Sequence, residues 1–343
     1  MATQSRREFI WRSGVLLSSL AFCRAAFGGA GDAAGWRSVA GMPYPVQEIY
    51  PALLGDVIHV AGGFSVENDK VGATNRHLSY SIAGDQWQLL NPLPEVRHHL
   101  ALATCAGQLY ALGGFASAPG APWSMQNQSW RYDPDQDQWA DVQPAPEVHA
   151  ESVCLARGDL IHIIGGRRPK NPQNKHWGDH TDSNRHLIFE PATNSWRAAA
   201  PAPSARNSAA GCVINDCLYI AGGRTVTSGN LNTLEVYDAK EERWRTAQPL
   251  PQVQGALAAA AVNGELIAFG GEFFGGTGGF GVYSEVWRYD PMRDHWRALP
   301  NMKTPRHGLG AVSYGSSVFA IGGATDVATR GTSAVVERLD LGA

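Results

Sequence analysis

The sequence predicts an all-β chain of six four-stranded sheets set radially around a channel, and three observations carry that prediction. Gly-Gly pairs close short apolar runs at Gly62, Gly113, Gly165, Gly222, Gly270 and Gly322, with spacings of 51, 52, 57, 48 and 52 residues. A Trp stands 26 residues before every pair, at Trp36, Trp87, Trp139, Trp196, Trp244 and Trp296. Turn formers are abundant, with 39 Gly and 20 Pro in 343 residues, above the usual combined share of roughly 12%. Short β-rich runs with turn signals at a period near fifty describe a six-bladed β-propeller.

Each repeat justifies its strands in turn. The apolar runs at 57–61, 109–112, 160–164, 218–221, 266–269 and 318–321 read as second strands. The glycines that end each run mark where neighbouring sheets come too close for a side chain. Seven residues before the later five Trp stands an aromatic: Tyr80, Tyr132, Phe189, Tyr237 or Tyr289. These belong to third strands and the Trp to fourth strands, where large rings fill a wedge that widens with radius. Twelve residues before four of those Trp stands Asn75, Asn127, Asn184 or Asn232. Gly322-Gly323 is followed by a third strand over 333–341 but by no Trp, whereas Trp36 has no pair before it. The N-terminal strand is therefore expected to close the last blade. The pattern of Gly-Gly, Tyr and Trp resembles the kelch repeat across nearly all of residues 36–341. That resemblance implies a six-bladed kelch β-propeller.

Ser5-Arg6-Arg7-Glu8-Phe9-Ile10, followed by a moderately apolar run over 14–22, resembles the twin-arginine export leader. The run is far shorter than the ~20 residues a membrane helix needs. Gly28 and Ala30 offer a cleavage point, and Phe22 before Cys23 argues against a lipoprotein. The resemblance implies a leader over 1–30, a propeller over 31–343 and a periplasmic or secreted protein that crosses the membrane already folded. No stable membrane insertion is expected after processing. The chain carries a net charge of −3, with 17% charged and 44% hydrophobic residues. That composition excludes a disordered chain, a coiled coil and a collagen, and its sign argues against nucleic acid or an anionic membrane as partner. A monomer is expected.

The candidate site follows from the repeat. Loops entering strand one and leaving strand two share one face of a propeller, around the channel. The residue sixteen before each pair is Val46, Arg97, His149, Arg206, Gln254 or Arg306, so Arg recurs on every second blade. Three guanidinium groups converging to ~8 Å would repel by about 0.5 kcal/mol per pair in water and about 2 at an effective dielectric of 20. An anion, or the local carboxylates of Glu48, Glu151 and Glu272, would offset that. His98, His99, Asn207 and His307 flank the ring and can donate to oxygens. The competing reading has each Arg paired with a neighbouring loop. Just after the pairs come Phe64, Phe115, Arg167, Arg224, Glu272 and Ala324, with Glu272 the sole acid among them. Ligand-binding residues are thus expected among Arg97, Arg206, Arg306, His99, His149, Asn207, His307 and Arg224.

Arg at this repeat position is similar to the arginines with which eukaryotic kelch substrate adaptors grip acidic peptides. Bacterial N-acetylneuraminate mutarotases, periplasmic six-bladed kelch proteins, also resemble this chain in carrying Glu directly after such a Gly pair. That resemblance implies Glu272 as a general acid and base, although the family's Arg six residues later is replaced here by Gly278. Glu272 as a counter-ion to Arg306 is the plainer role. The first expectation is an exported propeller that binds an acidic, sugar-like small molecule at an Arg-lined mouth, with mutarotase or epimerase chemistry. The alternative is a non-enzymatic propeller that recognises an acidic segment of a partner protein.

Other motifs point to less. Gly276-x-Gly278-x-x-Gly281 imitates a dinucleotide fingerprint but opens no helix. Asp133-x-Asp135-x-Asp137 lacks the Gly and Glu of a calcium loop and reads as the turn between outer strands. The insertion over 167–186 holds His176, Asp179, His180, Asp182 and His186, read as a polar loop, so neither a metal nor a cofactor is expected. His59 and His162 stand where other repeats have Tyr110 and Tyr219 and read as packed strand residues. Galactose oxidase, a more distant kelch resemblance, needs a Tyr–Cys cross-link and two His on copper. The four cysteines beyond the leader, Cys105, Cys154, Cys212 and Cys217, fall in inner hairpins and are expected to be free thiols. Ile214, not Cys212, is expected to face Cys217.

Overall fold

The computed structural model describes residues 35–67, 70–275 and 279–342. The segment 1–30, expected from sequence to be an export leader, lies outside the described residues. Every blade is an antiparallel four-stranded sheet, as in Ala101–Cys105, Gln108–Leu112, Ser129–Asp133 and Gln138–Val142 of blade two. The turn joining its first two strands, Ala106-Gly107, takes the left-handed region at both residues (φ 50° and 73°), the twist that fits a two-residue hairpin. Strands nearest the channel carry small residues, most clearly Ala258–Val262 of blade five, because six such strands converge on one axis.

Closure follows the sequence expectation. Trp36–Ser38 pairs with Val336–Asp340, Trp36 opposite Leu339, in the sheet that also holds Ser317–Ile321 and Gly310–Tyr314. The Trp36 indole donates to the Pro300 carbonyl (3.2 Å), and its ring meets Phe269 edge-on at 5.4 Å. Trp36→Ala should therefore cost roughly 2–3 kcal/mol, less than a fully buried aromatic, and lower the melting temperature. An unchanged melting temperature would show that the N-terminal strand does not secure the ring.

The repeated residues are the stitches between blades. Gly62 and Gly270 have φ of 70°, and a Cβ on either would come within 2.6 Å of the Arg97 and 2.5 Å of the Arg306 carbonyl oxygen of the next blade. The N–H of the following glycine donates to that same oxygen, Gly63 to Arg97 at 2.8 Å and Gly271 to Arg306 at 2.9 Å, and all six seams repeat the bond. Trp87, Trp196, Trp244 and Trp296 each donate an indole N–H to a carbonyl of the preceding seam at 2.8 Å. Asn75, Asn127, Asn184 and Asn232 each donate to the carbonyl eighteen residues on. Packing and polar satisfaction thus coincide at these seams, while the Trp139 indole N–H is buried without a partner.

Candidate functional site

Fourteen residues before each Gly-Gly lies a residue in the left-handed region: Glu48, His99, Glu151, Ser208, Ala256 and Gly308, all with φ of 50–56°. Their backbones join around the channel entrance. Glu48 N–H donates to Gly308 (2.7 Å), His99 to Glu48 (3.2 Å), Ser208 to Glu151 (3.2 Å), Ala256 to Ser208 (2.9 Å) and Gly308 to Ala256 (3.0 Å). Five non-glycine residues held this way store strain, which collects at functional sites. The inner strands enclose a cavity of about 90 Å³ whose lining includes Tyr50, Pro51, Val153 and Ala258.

The side chains of this ring meet those that follow the Gly pairs. Arg224 Nη1 donates to Glu272 Oε1 at 2.5 Å, and Ala328 N–H donates to Glu272 Oε2 at 3.0 Å. Arg224 Nε reaches Asn207 Oδ1 (3.4 Å), and Asn207 Nδ2 donates to Asp182 (2.5 Å). Arg167 Nε lies 2.9 Å from Glu151 Oε1, its guanidinium stacked 4.1 Å over Trp177, and Ser208 Oγ donates to Glu151 Oε2 at 2.7 Å. Burial works against Glu151, yet Arg167, His99 and Arg224 bring its carboxyl down to about 2. Tyr50 is pushed well above the usual phenol value by burial, then by Glu48 and Glu151, so it stays a donor.

The histidine protons can be assigned from their partners. His98 Nε2 lies 3.1 Å from the Pro122 carbonyl, which only accepts, so that nitrogen carries hydrogen. Burial, then the nearby His99, pushes His98 well below its usual value, leaving the ring neutral and Nδ1 bare. His99 Nδ1, 2.7 Å away, must donate to it. His99 Nε2 faces Glu48 Oε2 at 3.0 Å. Burial opposes ionisation of Glu48, but His99 holds its carboxyl at about 2, so the proton between them rests on His99. The mouth thus sets the carboxylates of Glu48, Glu151 and Glu272 against the cations Arg167, Arg224 and His99.

Of the residues singled out from sequence, His99, Asn207, Arg224, Glu272 and His307 come together here. Arg97, Arg206 and Arg306 do not, which corrects the expected ring of cations. All three are buried. Arg206 donates to the Gly222 carbonyl (3.1 Å) and Glu235 (2.8 Å), and Arg306 to the Gly322 carbonyl (2.7 Å), the Ala320 carbonyl (3.1 Å) and Glu337 (2.9 Å). Arg97 pairs with Glu95 at 2.8 Å and covers Trp130. In blade five Gln254 makes the same bond to Gly270 (2.8 Å). At Arg206, Gln254 and Arg306 the side chain sixteen before the pair thus runs along its own blade to carbonyls at the end of strand two. His149 also belongs to a seam: its ring lies against Gly113, and burial lowers it to about 4. Glu272 is partnered by Arg224 rather than Arg306.

Sequence reasoning treated Glu48 and Glu151 only as counter-charges and missed Tyr50. Alignment at fourteen instead of sixteen before the pair would have found the ring. Phe64 and Phe115 do not present free faces, because they stack on His98 at 4.0 and 5.0 Å beside Trp123. In the insertion of blade three, Asp179 caps the backbone of Lys175 and His176, His180 meets Asn174, Asp182 holds Asn207 and Val226, and His186 pairs with His162. Among the described residues no group of three His, Cys, Asp or Glu is placed to hold a metal. Cys105, Cys154, Cys212 and Cys217 are free thiols, and Ile214 faces Cys217.

Six antiparallel blades, Gly-Gly seams and the Tyr–Trp wedges define a kelch-repeat β-propeller. Family models agree: the Kelch motif matches residues 97–146, and the KLHDC2/KLHL20/DRC7 Kelch-repeats domain matches residues 178–323. The chain is similar to Kelch-like protein terF of Aspergillus terreus (29% identical, over 82% of this chain and 62% of that protein). It is also similar to Kelch-like protein 23 of Homo sapiens (25% identical, over 59% and 42%). It therefore spans only about half of the length of these relatives. Among solved structures, that of YjhT shares the fold with a TM-score of 0.74 at 17% identity, over 87% of this chain and 95% of that one.

Proposed function

We propose that this is an exported kelch propeller that binds an acidic, sugar-like small molecule at the mouth and moves protons on it, as a mutarotase or epimerase does. Glu272 carries the reading. It is an acid only 2% exposed, held between the Arg224 guanidinium, the Ala328 N–H and His307. Mutarotation removes the anomeric hydroxyl proton and protonates the ring oxygen as the C–O bond opens, then reverses both. A carboxylate with a fixed second partner can take and return that proton. Arg224 of the preceding blade fills the role of the Arg that the mutarotase resemblance would place at Gly278. Export is supported by the Ser5–Ile10 motif alone.

Glu272→Gln should lower the rate of anomer exchange by about a hundredfold or more while thermal stabilisation by the sugar persists. Nuclear magnetic resonance exchange rates and thermal shifts over a panel of acidic and neutral sugars would show both. A wild type that neither accelerates exchange nor is stabilised by any of them would end the sugar reading. The second reading, an acidic partner segment, is favoured by Phe274 and Phe280, 51% and 70% exposed on the hairpin that begins at Glu272.

A further inference from the structure

His307 is a residue of the mouth whose hydrogen-bond partners do not account for it. Its ring is fully buried, on the loop that bridges to Ala324. Nε2 lies 3.0 Å from the Asp326 carbonyl, so that nitrogen carries hydrogen. In a neutral ring Nδ1 would then be a bare lone pair. Nδ1 has no hydrogen-bond partner, and the groups facing it are two acceptors, Glu272 Oε2 at 3.6 Å and Glu48 Oε1 at 3.8 Å. A buried lone pair between two carboxylates is repelled by both, whereas a proton there is attracted by both. Gly308 allows this approach, since a Cβ there would come within 2.8 Å of the Glu48 carboxyl.

We propose that His307 is a standing imidazolium between Glu48 and Glu272, and that its charge decides the mouth's selectivity between carboxylate-bearing and neutral ligands. The other charges facing this triad are already matched. Arg224 stands on the far side of Glu272, His99 on the far side of Glu48, Arg167 on Glu151, and the Asp326 carboxylate is held by Arg330 at 3.1 Å. With Asp182, which accepts from Asn207 at 2.5 Å and has no cation of its own among the described residues, four carboxylates then meet four cations. Without the charge on His307 the mouth would be net negative and would repel an acidic ligand. His307 is fully buried behind Glu48 and Glu272, so it is a positioning residue. The selectivity rests on the function proposed above; the protonation does not.

The test is made on the full chain with ¹⁵N-labelled histidine. Long-range ¹H–¹⁵N correlation at pH 6.5 should show both ring nitrogens of His307 protonated. The ring is assigned by its absence in His307→Gln and, should that variant not fold, by its displacement in Glu48→Gln. A bare-nitrogen signal at pH 6.5 would overturn the inference whatever the sugars do. Glucuronate and glucose then serve as probes. Glucuronate should bind about tenfold or more weakly to His307→Gln, and glucose equally to both. Equal loss for both sugars would overturn the selectivity. An imidazolium in a protein that binds neither sugar would uphold the protonation and sink the sugar reading instead.

Discussion

On acidification from pH 7.5 to 5.5 the protein is expected to lose on the order of 10 kcal/mol of stability and to unfold. Besides His99 and His307 of the mouth, seven histidines are buried: His59, His77, His98, His149, His162, His180 and His186. Burial is the main cause that pushes each down, His59, His149, His162 and His180 to about 4, His77 and His186 to about 3, and His98 well below its usual value. The unfolded chain takes up a proton at each near pH 6.5, while the folded chain does not. The stability tied to these neutral rings is therefore present above pH 6.5 and lost as pH falls towards 4 to 3. Each ring costs about 1.4 kcal/mol per pH unit below 6.5, and seven together match the whole stability of an ordinary domain. Glu48 and Glu151, held at about 2, add to this loss only once the pH falls below about 4.5. His59 and His77 form one dyad (2.9 Å) and His162 and His186 another (2.8 Å). Blade six has Phe319 and Val336 at the corresponding places. His59→Phe with His77→Val should therefore flatten the fall in melting temperature by about two sevenths. A melting temperature constant from pH 7.5 to 5.5 would contradict the argument.

The fold was legible because its constraints are local in sequence. A Gly pair at each seam and a Trp 26 residues before it recur at fixed spacing, since each satisfies a contact that every blade must make. The mouth was only half legible. Glu272, Arg224, Asn207, His99 and His307 were found because they sit next to those markers. The left-handed turn at Glu48, His99, Glu151 and Ser208 gave no signal, because only Gly308 of that ring is a residue that advertises it. The three arginines misled for another reason. Their partners Glu235 and Glu337 stand 29 and 31 residues downstream, at spacings set by insertions of variable length, so only the paired strands reveal the ion pairs. An Arg on every second blade was read as convergence, whereas Arg206 and Arg306 mark blades that bury a Glu on strand three and Arg97 pairs with the neighbouring Glu95.

Arg306→Ala should destabilise the protein by about 3–5 kcal/mol, because it strands a buried charge. Glu337 is fully buried and would keep only the Thr304 hydroxyl (2.7 Å), while the carbonyls of Gly322, Ala320 and Thr304 would lose their donor. For a chain of this size the melting temperature should fall by roughly 6–10 °C. Replacing both partners, Arg306→Met with Glu337→Leu, should recover much of the loss, since it removes the uncompensated carboxylate along with the guanidinium. Neither variant should change the affinity for glucuronate relative to glucose, in contrast to His307→Gln and to any change at Arg224. A guanidinium that served the mouth would behave oppositely: its removal would relieve repulsion, raise or preserve the melting temperature and weaken the acidic sugar. An Arg306→Ala protein that melts no lower than wild type but binds glucuronate tenfold more weakly would return Arg306 to the mouth and displace the seam role argued from Glu337.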